Sequence, residues 1–262
     1  FELNVLTTES DIKAGYKELK DAPLLAADIE AAGLPYRRCN VGHRTLCCSF
    51  TKQDNQAFIF PLDSAISAFD SEELKALSWK AVTRLLQNES KKIFHYGKYD
   101  VLYFKFANNL IVNNYAEDTL YQHYLLDERP PHGLKELSNL HIPQMIGYDD
   151  ELDEYKKSHK DADPNKGGSY YYIPNRILFP YCGLDTIATF KLHNLFKPQI
   201  EENPDLLLVY NTIMLPVSRT YINMEERGIY VDREALQAEG KFLQRQIVDA
   251  QTKVIKYLIS KR

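Results

Sequence analysis

Two acidic residues near the end of an apolar stretch are the first residues in this sequence that could do chemistry. The stretch reads LLAADIEAAGL from Leu24 to Leu34, and it predicts a buried strand that carries Asp28 and Glu30. Because side chains alternate between the faces of a strand, these two carboxylates point the same way. Carboxylates on one face repel each other unless a cation lies between them, and a divalent metal ion is the usual solution. The pair alone is weak evidence, since Asp-x-Glu also occurs on solvated faces.

Two later segments offer further oxygen ligands. In HYGKYDVLYF, Asp100 stands at the start of a predicted helix, just after a short strand. In PYCGLDTIATF, Tyr181 and Asp185 are four residues apart, so both project from one face of a helix. Each of these residues also fits the polar edge of an amphipathic helix. Gly183 costs a helix about 1 kcal/mol relative to Ala, which indicates a close approach at that point.

The elements that must position these residues follow a mixed pattern. Three strands without an intervening helix predict an antiparallel meander, and strands and helices then alternate. This order predicts an α/β protein with a mixed sheet and helices on both faces. A helix capped by Thr8 or Ser10 precedes the meander, Asp70 caps the next helix with Glu73 in a capping box, and Pro180 fits the first turn of a later helix. The predicted strands are 1–6, 24–30, 44–51, 56–62, 91–96 and 110–116, and the helices between them and beyond are 98–107, 117–127, 132–140 and 180–196.

The stretch from Gly147 to Asn175 is polar and predicts a mobile surface loop. The three tyrosines 170–172 interrupt it. They fit either an anchor that holds the loop on the core or a stacking surface for a nucleobase, and the sequence leaves both open.

A boundary is predicted between Pro198 and Pro204. Beyond it we expect a helix with an internal Pro216 that ends at Arg227, with Gly228 as its C′ residue. A last helix runs from Asp232 to the chain end, and its apolar stripe needs a partner surface. The predicted domains are therefore 1–198 and 204–262. Because the sequence begins at Phe1, we expect it to be a piece of a longer protein.

Composition limits the class of protein and its compartment. The chain has 262 residues, of which 44% are hydrophobic and 26% charged, as in a soluble globular protein. No apolar run reaches the roughly 18 residues of a membrane span, and no signal peptide opens the sequence. Its four cysteines (39, 47, 48 and 182) lack CxxC spacing, which favours buried thiols in a reducing, cytoplasmic compartment. A net charge of −4 argues against a surface that coats nucleic acid, yet allows a narrow acidic site.

Taken together, the acids resemble the three exonuclease motifs of the DEDD superfamily in its tyrosine-bearing branch. LLAADIEAAGL is similar to the first motif, HYGKYDVLYF to the second and YCGLDTIATF to the third. A histidine-bearing relative would carry His where Pro180 stands. The segment AEDTLYQHYLLDERPPHGLKELS resembles the connecting helices of the proofreading domain in A-family DNA polymerases. Finally, LPVSRTYINMEERGIYVDREAL resembles the start of the polymerase domain, at the base of the thumb.

The resemblance implies a ribonuclease H-like fold, a helical extension and two divalent ions, Mg²⁺ or Mn²⁺. It assigns Asp28, Glu30 and Asp185 to the first ion. The second ion would take Asp28 and, through water, Asp100, and Tyr181 would orient the attacking water by its hydroxyl group. In DNA binding, Leu34 matches an apolar wedge or simply covers the end of the sheet. Tyr96 replaces a usual Asn, which implies a stacking contact or none, and Lys98 is the third expected substrate contact.

The implied activity is two-metal 3′–5′ hydrolysis of single-stranded DNA ends, with nucleoside monophosphates as products, in the proofreading part of a polymerase. The expected partner is the rest of that polymerase, with no membrane involved. One alternative is a stand-alone exonuclease acting on RNA, and another is an inactive structural domain, against which the intact acids argue. Polymerase activity is not expected, because a YxDxHxD-like palm segment is absent. The source, whether phage, bacterial or organellar, stays open.

Overall fold

A computed structural model describes residues 1–32, 44–159 and 170–261. The six strands of the described residues form one sheet. The strands are β1 (Glu2–Val5), β2 (Leu24–Ala32), β3 (Arg44–Gln53), β4 (Gln56–Pro61), β5 (Lys91–Phe94) and β6 (Tyr115–Asp118). The α-helices are α1 (Glu9–Leu19), α2 (Glu72–Gln87), α3 (Lys98–Asn108), α4 (Thr119–Leu126), α5 (Leu134–His141), α6 (Asp150–Ser158), α7 (Asn175–Glu201), α8 (Pro204–Val209), α9 (Leu215–Arg227) and α10 (Arg233–Ser260).

The sheet is mixed, and the strand with the acidic pair lies inside it. The spatial order is β1-β4-β3-β2-β5-β6. Strands β2, β3 and β4 form the predicted antiparallel meander, whereas β1 pairs with β4, β5 with β2, and β6 with β5 in parallel. The predicted α/β fold with a mixed sheet is therefore confirmed.

Helices cover both faces of the sheet, and β2 sends alternate side chains to each. Leu25, Ala27 and Ile29 join a core cluster with residues of α1, α2 and α3. On the opposite face, Ala26 packs with Phe190 of α7, and α7 runs across β1, β2, β3 and β4. Asp28 and Glu30 share this α7 face because of the strand alternation.

Helix α7 is longer than predicted, because it begins at Asn175 and contains Pro180 within it. Proline removes one helical hydrogen bond, and burial of the long helix against the sheet outweighs that loss. The close approach expected at Gly183 is real and comes from the sheet itself. A Cβ at that position would lie 2.9 Å from Ile59 Cδ1 and 3.0 Å from Leu3 Cδ2.

Two predicted boundaries are wrong. Ser71, and not Asp70, caps α2, since its hydroxyl accepts from the Leu74 amide at 3.3 Å. The strand predicted over 110–116 starts only at Tyr115, because Asn109 and Asn114 have positive φ angles of 52° and 53°. Residues in that left-handed region cannot continue a strand ladder, so the segment between them is a loop.

The polar stretch 147–175 is more ordered than the sequence predicts. It contains α6 and a 3₁₀ turn at Tyr170–Tyr172, while residues 160–169 lie outside the described part of the chain. Leu152 explains α6, because it is buried in the core cluster beneath α7. Tyr170 and Tyr171 pack on the same cluster, as the anchoring interpretation predicts, whereas Tyr172 is exposed.

The C-terminal region is helical, as expected. The single helix predicted before Arg227 is divided into α8, a π-helical turn at Tyr210–Met214 and α9. The π turn ends two residues before Pro216, whose missing amide breaks the regular hydrogen-bond ladder. Gly228 has a positive φ of 72°, and Asp232 caps α10 through the amides of Glu234 and Ala235, both at 3.0 Å.

By its contacts the chain divides into two compact units, Phe1–Glu226 and Arg227–Arg262. The second unit consists mainly of α10, whose apolar side chains are exposed. Among the described residues, no helix has the length and apolar character needed to cross a membrane. The assignment of 204–262 to a polymerase domain stays a prediction.

A buried carboxylate holds the turn that leads into α3. Asp118, at the end of β6, is fully buried, and both its oxygens accept hydrogen bonds. The donors are the amides of Tyr96 (3.0 Å), Gly97 (2.8 Å) and Leu120 (3.0 Å) and the hydroxyl of Tyr115 (2.5 Å). The Asp118 side chain therefore fixes the start of α3 and, with it, the position of Asp100.

We expect Asp118→Ala to lower the free energy of unfolding by about 2–4 kcal/mol, because it leaves buried backbone amides without acceptors. Urea denaturation of the variant measures this loss. Asp127→Ala is the matched control, since that carboxylate is half-exposed and pairs with Arg129 within its own turn. Equal effects of the two substitutions would contradict the role given to Asp118.

Candidate active site

The acidic pair lies on β2 as the alternation predicts. Asp28 is paired with Ser49 of β3, and Glu30 with Cys47, just before an irregularity in the β2 register. Glu30 is buried and Asp28 is half-buried. One carboxylate oxygen from each residue and the sulfur of Cys182 all lie within 4.8 Å of one another. The sheet thus holds two carboxylates directly under α7.

Helix α7 is fixed above this pair by buried hydroxyl groups. Ser49 Oγ donates to the carbonyl oxygen of Cys182 at 2.8 Å, and Thr186 Oγ1 donates to the same oxygen at 3.0 Å. The two hydroxyls also contact each other. This network sets the register of α7 on β3, and it places Tyr181 and Asp185, one turn apart, beside the acids of β2.

Asp100 approaches the pair from the other direction, on the first turn of α3. It is buried and forms a hydrogen bond with the backbone of Ile29, the residue between Asp28 and Glu30. The charges of Asp100 and Asp185 both act on Asp28. The structure therefore brings together the four carboxylates that the sequence singles out.

Burial and mutual repulsion dominate the electrostatics of this cluster. Burial raises the pKa of Asp28 well above its usual range, and the charges of Asp185 and Asp100 raise it further. Burial likewise raises the pKa of Glu30, with Asp28 as the next cause. Burial raises the pKa of Asp185 to about 6, although hydrogen bonds from Tyr148 and Tyr181 oppose the rise. The arrangement suits ionised carboxylates only if positive charge enters it.

Cys182 belongs to this cluster without being a suitable ligand for a hard cation. Burial raises the pKa of its thiol well above the usual range, so the sulfur keeps its proton. The thiol is a weak donor to Asp28 Oδ2, at 3.8 Å, and to Ser49 Oγ, at 3.2 Å. The chemistry of the donor set is therefore that of carboxylate oxygens, which Mg²⁺ and Mn²⁺ prefer.

Tyr181 is buried with its hydroxyl group close to the acids. Burial raises the pKa of this phenol far above its ordinary value, and the charges of Asp185 and Glu30 act in the same direction. The hydroxyl forms hydrogen bonds with Asp185 and Tyr170. A phenol in this environment is a neutral hydrogen-bonding group, suited to orienting a water molecule and unsuited to acting as a base.

Tyr148 is a site residue that the sequence reasoning missed. Its hydroxyl donates to Asp185 Oδ1, and its ring lies nearly parallel to that of Tyr181, with centroids 6.0 Å apart and planes at 12°. Lys135 Nζ lies 5.2 Å from the centre of the Tyr181 ring and is paired with Asp149 at 3.0 Å. In the sequence, Tyr148 is recognisable only as an aromatic residue at the start of a polar stretch, and its distance along the chain from the acids follows no motif.

The three expected substrate contacts have different outcomes. Leu34 lies outside the described residues. Tyr96 is 40% exposed at a positive φ of 57°, so its ring is accessible beside the start of α3. Lys98 forms an ion pair with Glu225 of α9, and its Nζ lies 5.3 Å from the centre of the Tyr96 ring. A DNA contact by Lys98 would therefore have to replace that ion pair, and it stays a prediction.

Comparison with known proteins gives consistent matches. A family model described as 3′–5′ exonuclease matches residues 3–201. The DNA polymerase of Escherichia phage T5 is 32% identical over 72% of this chain and 23% of its own length. DNA polymerase I of a Synechocystis strain is 24% identical over 95% of the chain and 24% of its own length. The chain therefore spans about a quarter of the length of these two relatives.

Solved structures share the fold at low identity. The M. smegmatis Pol1 structure with DNA primer-template and dNTP has a TM-score of 0.63 at 15% identity, covering 94% of this chain and 36% of that one. Trypanosoma brucei RNase D with GMP has a TM-score of 0.56 at 17% identity, covering 88% of this chain and 66% of that one. With the family model matching most of its length, the chain belongs to the 3′–5′ exonuclease domain family of A-family DNA polymerases.

Proposed function

We propose that this domain is a two-metal 3′–5′ exonuclease that removes nucleotides from unpaired DNA 3′ ends as the proofreading part of a polymerase. The observation that carries the proposal is the convergence of four carboxylates, from β2, α3 and α7, on one place beneath α7. Buried like charges without compensation are costly, so a fold that gathers them needs a counter-charge there.

Two divalent cations fit this donor set. All four acids offer hard oxygen ligands, and the neighbouring thiol keeps its proton. We propose that Asp28, Glu30 and Asp185 hold one cation and that Asp28 and Asp100 hold the second. When bound, such a pair lowers the pKa of a water molecule and neutralises charge on the phosphate and the leaving 3′ oxygen.

The remaining chemistry comes from the side chains around the acids. The Tyr181 hydroxyl, a donor at any working pH, orients the attacking water by hydrogen bonding. Asp185 accepts from Tyr148, which limits the directions in which its carboxylate can turn. Positioning of this kind matters, because reacting groups must stand within about 3–3.5 Å of each other before the reaction.

The choice of DNA as substrate rests on relatives that are DNA polymerases. We propose an unpaired end in preference to a duplex, because the acids lie beneath α7 and the site must take a free 3′ end. The partner we propose is the remainder of an A-family polymerase, and the product is a nucleoside monophosphate. An RNA substrate is the competing hypothesis, and the shared fold of RNase D is the observation that favours testing it.

A reducing, cytoplasmic compartment completes the proposal. Cys47, Cys48 and Cys182 are free thiols buried in the described part of the chain.

We expect Asp28→Ala and Asp185→Ala each to reduce hydrolysis at least about 100-fold, since loss of a metal ligand should cost no less than loss of a residue that supports one. The assay follows shortening of a 5′-labelled single-stranded DNA from its 3′ end with Mn²⁺, and EDTA should stop it. Asp127→Ala is the control acid and should keep the parental rate. Undiminished digestion by either site variant would rule out the assignment.

Single-stranded DNA should be shortened faster than a blunt duplex of the same sequence, because the proposed site takes an unpaired end and a duplex must first be opened. An RNA oligonucleotide in the same assay tests the alternative substrate. Equal rates on the single strand and the duplex would contradict a proofreading role. A preference for RNA over DNA would favour the stand-alone ribonuclease.

Tyr148→Phe should lower the turnover rate about 10-fold and raise the Mn²⁺ concentration needed for half activity, because it removes only the hydroxyl that holds Asp185. The ring that stacks on Tyr181 is kept, so the folded state should persist. Tyr155→Phe is the matched control, since that hydroxyl donates to the Tyr172 carbonyl at 3.2 Å. If both variants behave alike, Tyr148 does not position Asp185.

A further inference from the structure

One lysine of α6 faces the acidic cluster from the side of the tyrosines. Lys156 Nζ donates to the hydroxyl of Tyr170 at 3.0 Å and lies 4.1 Å from the centre of its ring. The Tyr170 ring in turn lies 6.5 Å from the Tyr181 ring, measured between centroids. Tyr170 therefore lies between Lys156 and Tyr181, which is the tyrosine next to Asp185.

The charge of Lys156 acts on the acidic cluster. Burial raises the pKa of Glu30, and the ammonium group of Lys156 is the charge that lowers it. Burial also lowers the pKa of Lys156 and the nearby charge of Lys135 lowers it further, whereas the charges of Asp153 and Glu30 act in the opposite direction. The ammonium groups of Lys135 and Lys156 therefore lie near each other on one side of the four acids.

The two lysines differ in what they bind. Lys135 lies 3.0 Å from Asp149 and 3.9 Å from Asp153, so carboxylates already neutralise it. No carboxylate among the described residues lies within 4.0 Å of Lys156 Nζ, whose polar partner is the Tyr170 hydroxyl. A half-buried ammonium group whose hydrogen-bond partner among the described residues is a phenol can still accept an anion, because a phenol does not cancel its charge.

A strand whose 3′ end reaches the acids would bring further phosphates past this flank. Each phosphodiester carries one negative charge, and an ammonium group binds it as a point charge. Lys156 is half-buried on the side of the acids that Tyr170 and Tyr181 line, and among the described residues it has no carboxylate within 4.0 Å. This combination matches a phosphate-binding position.

We propose that Lys156 binds a backbone phosphate of the single-stranded DNA next to the phosphodiester that is cleaved. The proposal rests on the proposed function, since it takes the acids as the place where the 3′ end is cleaved. Lys156 is then a substrate-binding residue that holds the strand in register, and Tyr170 keeps its ammonium group in place. The residue lies on α6, in the stretch that the sequence predicted to be a loop.

Loss of one phosphate contact has two measurable effects. Binding should weaken by about 5-fold, which corresponds to about 1 kcal/mol. The dependence of log affinity on log salt concentration should flatten by about 0.7, the value for one contact to a single strand. A residue that only supported the fold would change the melting temperature and leave this slope unchanged.

The test compares Lys156→Gln with Lys157→Gln, its exposed neighbour on the same helix. Fluorescence anisotropy of a 5′-fluorescein oligo(dT) with Ca²⁺ gives the affinity between about 50 and about 200 mM salt. Initial rates with Mn²⁺ give kcat and KM. We expect Lys156→Gln alone to raise Kd and KM about 5-fold, to flatten the salt slope by about 0.7 and to leave kcat within about twofold.

Lys156→Arg keeps the positive charge, so it distinguishes an effect of the lost charge from an effect of lost side-chain packing. This variant should restore the parental salt slope and most of the affinity. The inference is overturned if Lys156→Gln and Lys157→Gln show the same salt slope, or if the salt slope of Lys156→Arg is as flat as that of Lys156→Gln. It is also overturned if Lys156→Gln lowers kcat and leaves Kd and KM unchanged. Failure of the proposed function is a different result, in which the parental protein binds oligo(dT) and shortens no DNA with any divalent metal.

Discussion

Repulsion among four carboxylates that are largely shielded from water is the interaction on which the rest of this domain depends. Asp28, Asp100 and Asp185 act on one another through their charges, and Glu30 is held beside Asp28. Left alone, such acids would separate or take up protons. The fold prevents separation by attaching them to three elements that cannot move independently. The proposed cations would supply the positive charge that lets the acids remain ionised.

Each attachment has an identifiable physical cause. β2 is an inner strand, paired on both sides, so its alternation fixes the direction of Asp28 and Glu30. Hydroxyl groups of Ser49 and Thr186 lock α7 onto β3 through a single carbonyl oxygen. A buried carboxylate, Asp118, closes the turn before α3 and directs Asp100 toward β2. The site is therefore supported by polar groups that are themselves buried and hydrogen-bonded, which favours precise placement.

Local pattern was sufficient to predict the parts of the fold and site that obey simple periodicity. The alternation in β2, the meander and the four-residue spacing of Tyr181 and Asp185 all led to correct positions. Sequence patterns gave wrong or missing predictions where tertiary contacts determine the local structure. A buried Leu152 orders α6 within a polar stretch, and packing on the sheet carries α7 through Pro180. Tyr148 reaches Asp185 only through the fold, since 37 residues separate them in sequence.

Anomalous X-ray scattering from crystals grown with Mn²⁺ tests the central claim most directly, because it locates the cations without an activity assay. The account predicts two manganese ions about 3.5–4 Å apart, one held by Asp28, Glu30 and Asp185 and the other on the side of Asp28 that faces Asp100. Crystals soaked in EDTA should lose both. Acids that stay free of manganese, or manganese bound only elsewhere on the chain, would contradict it.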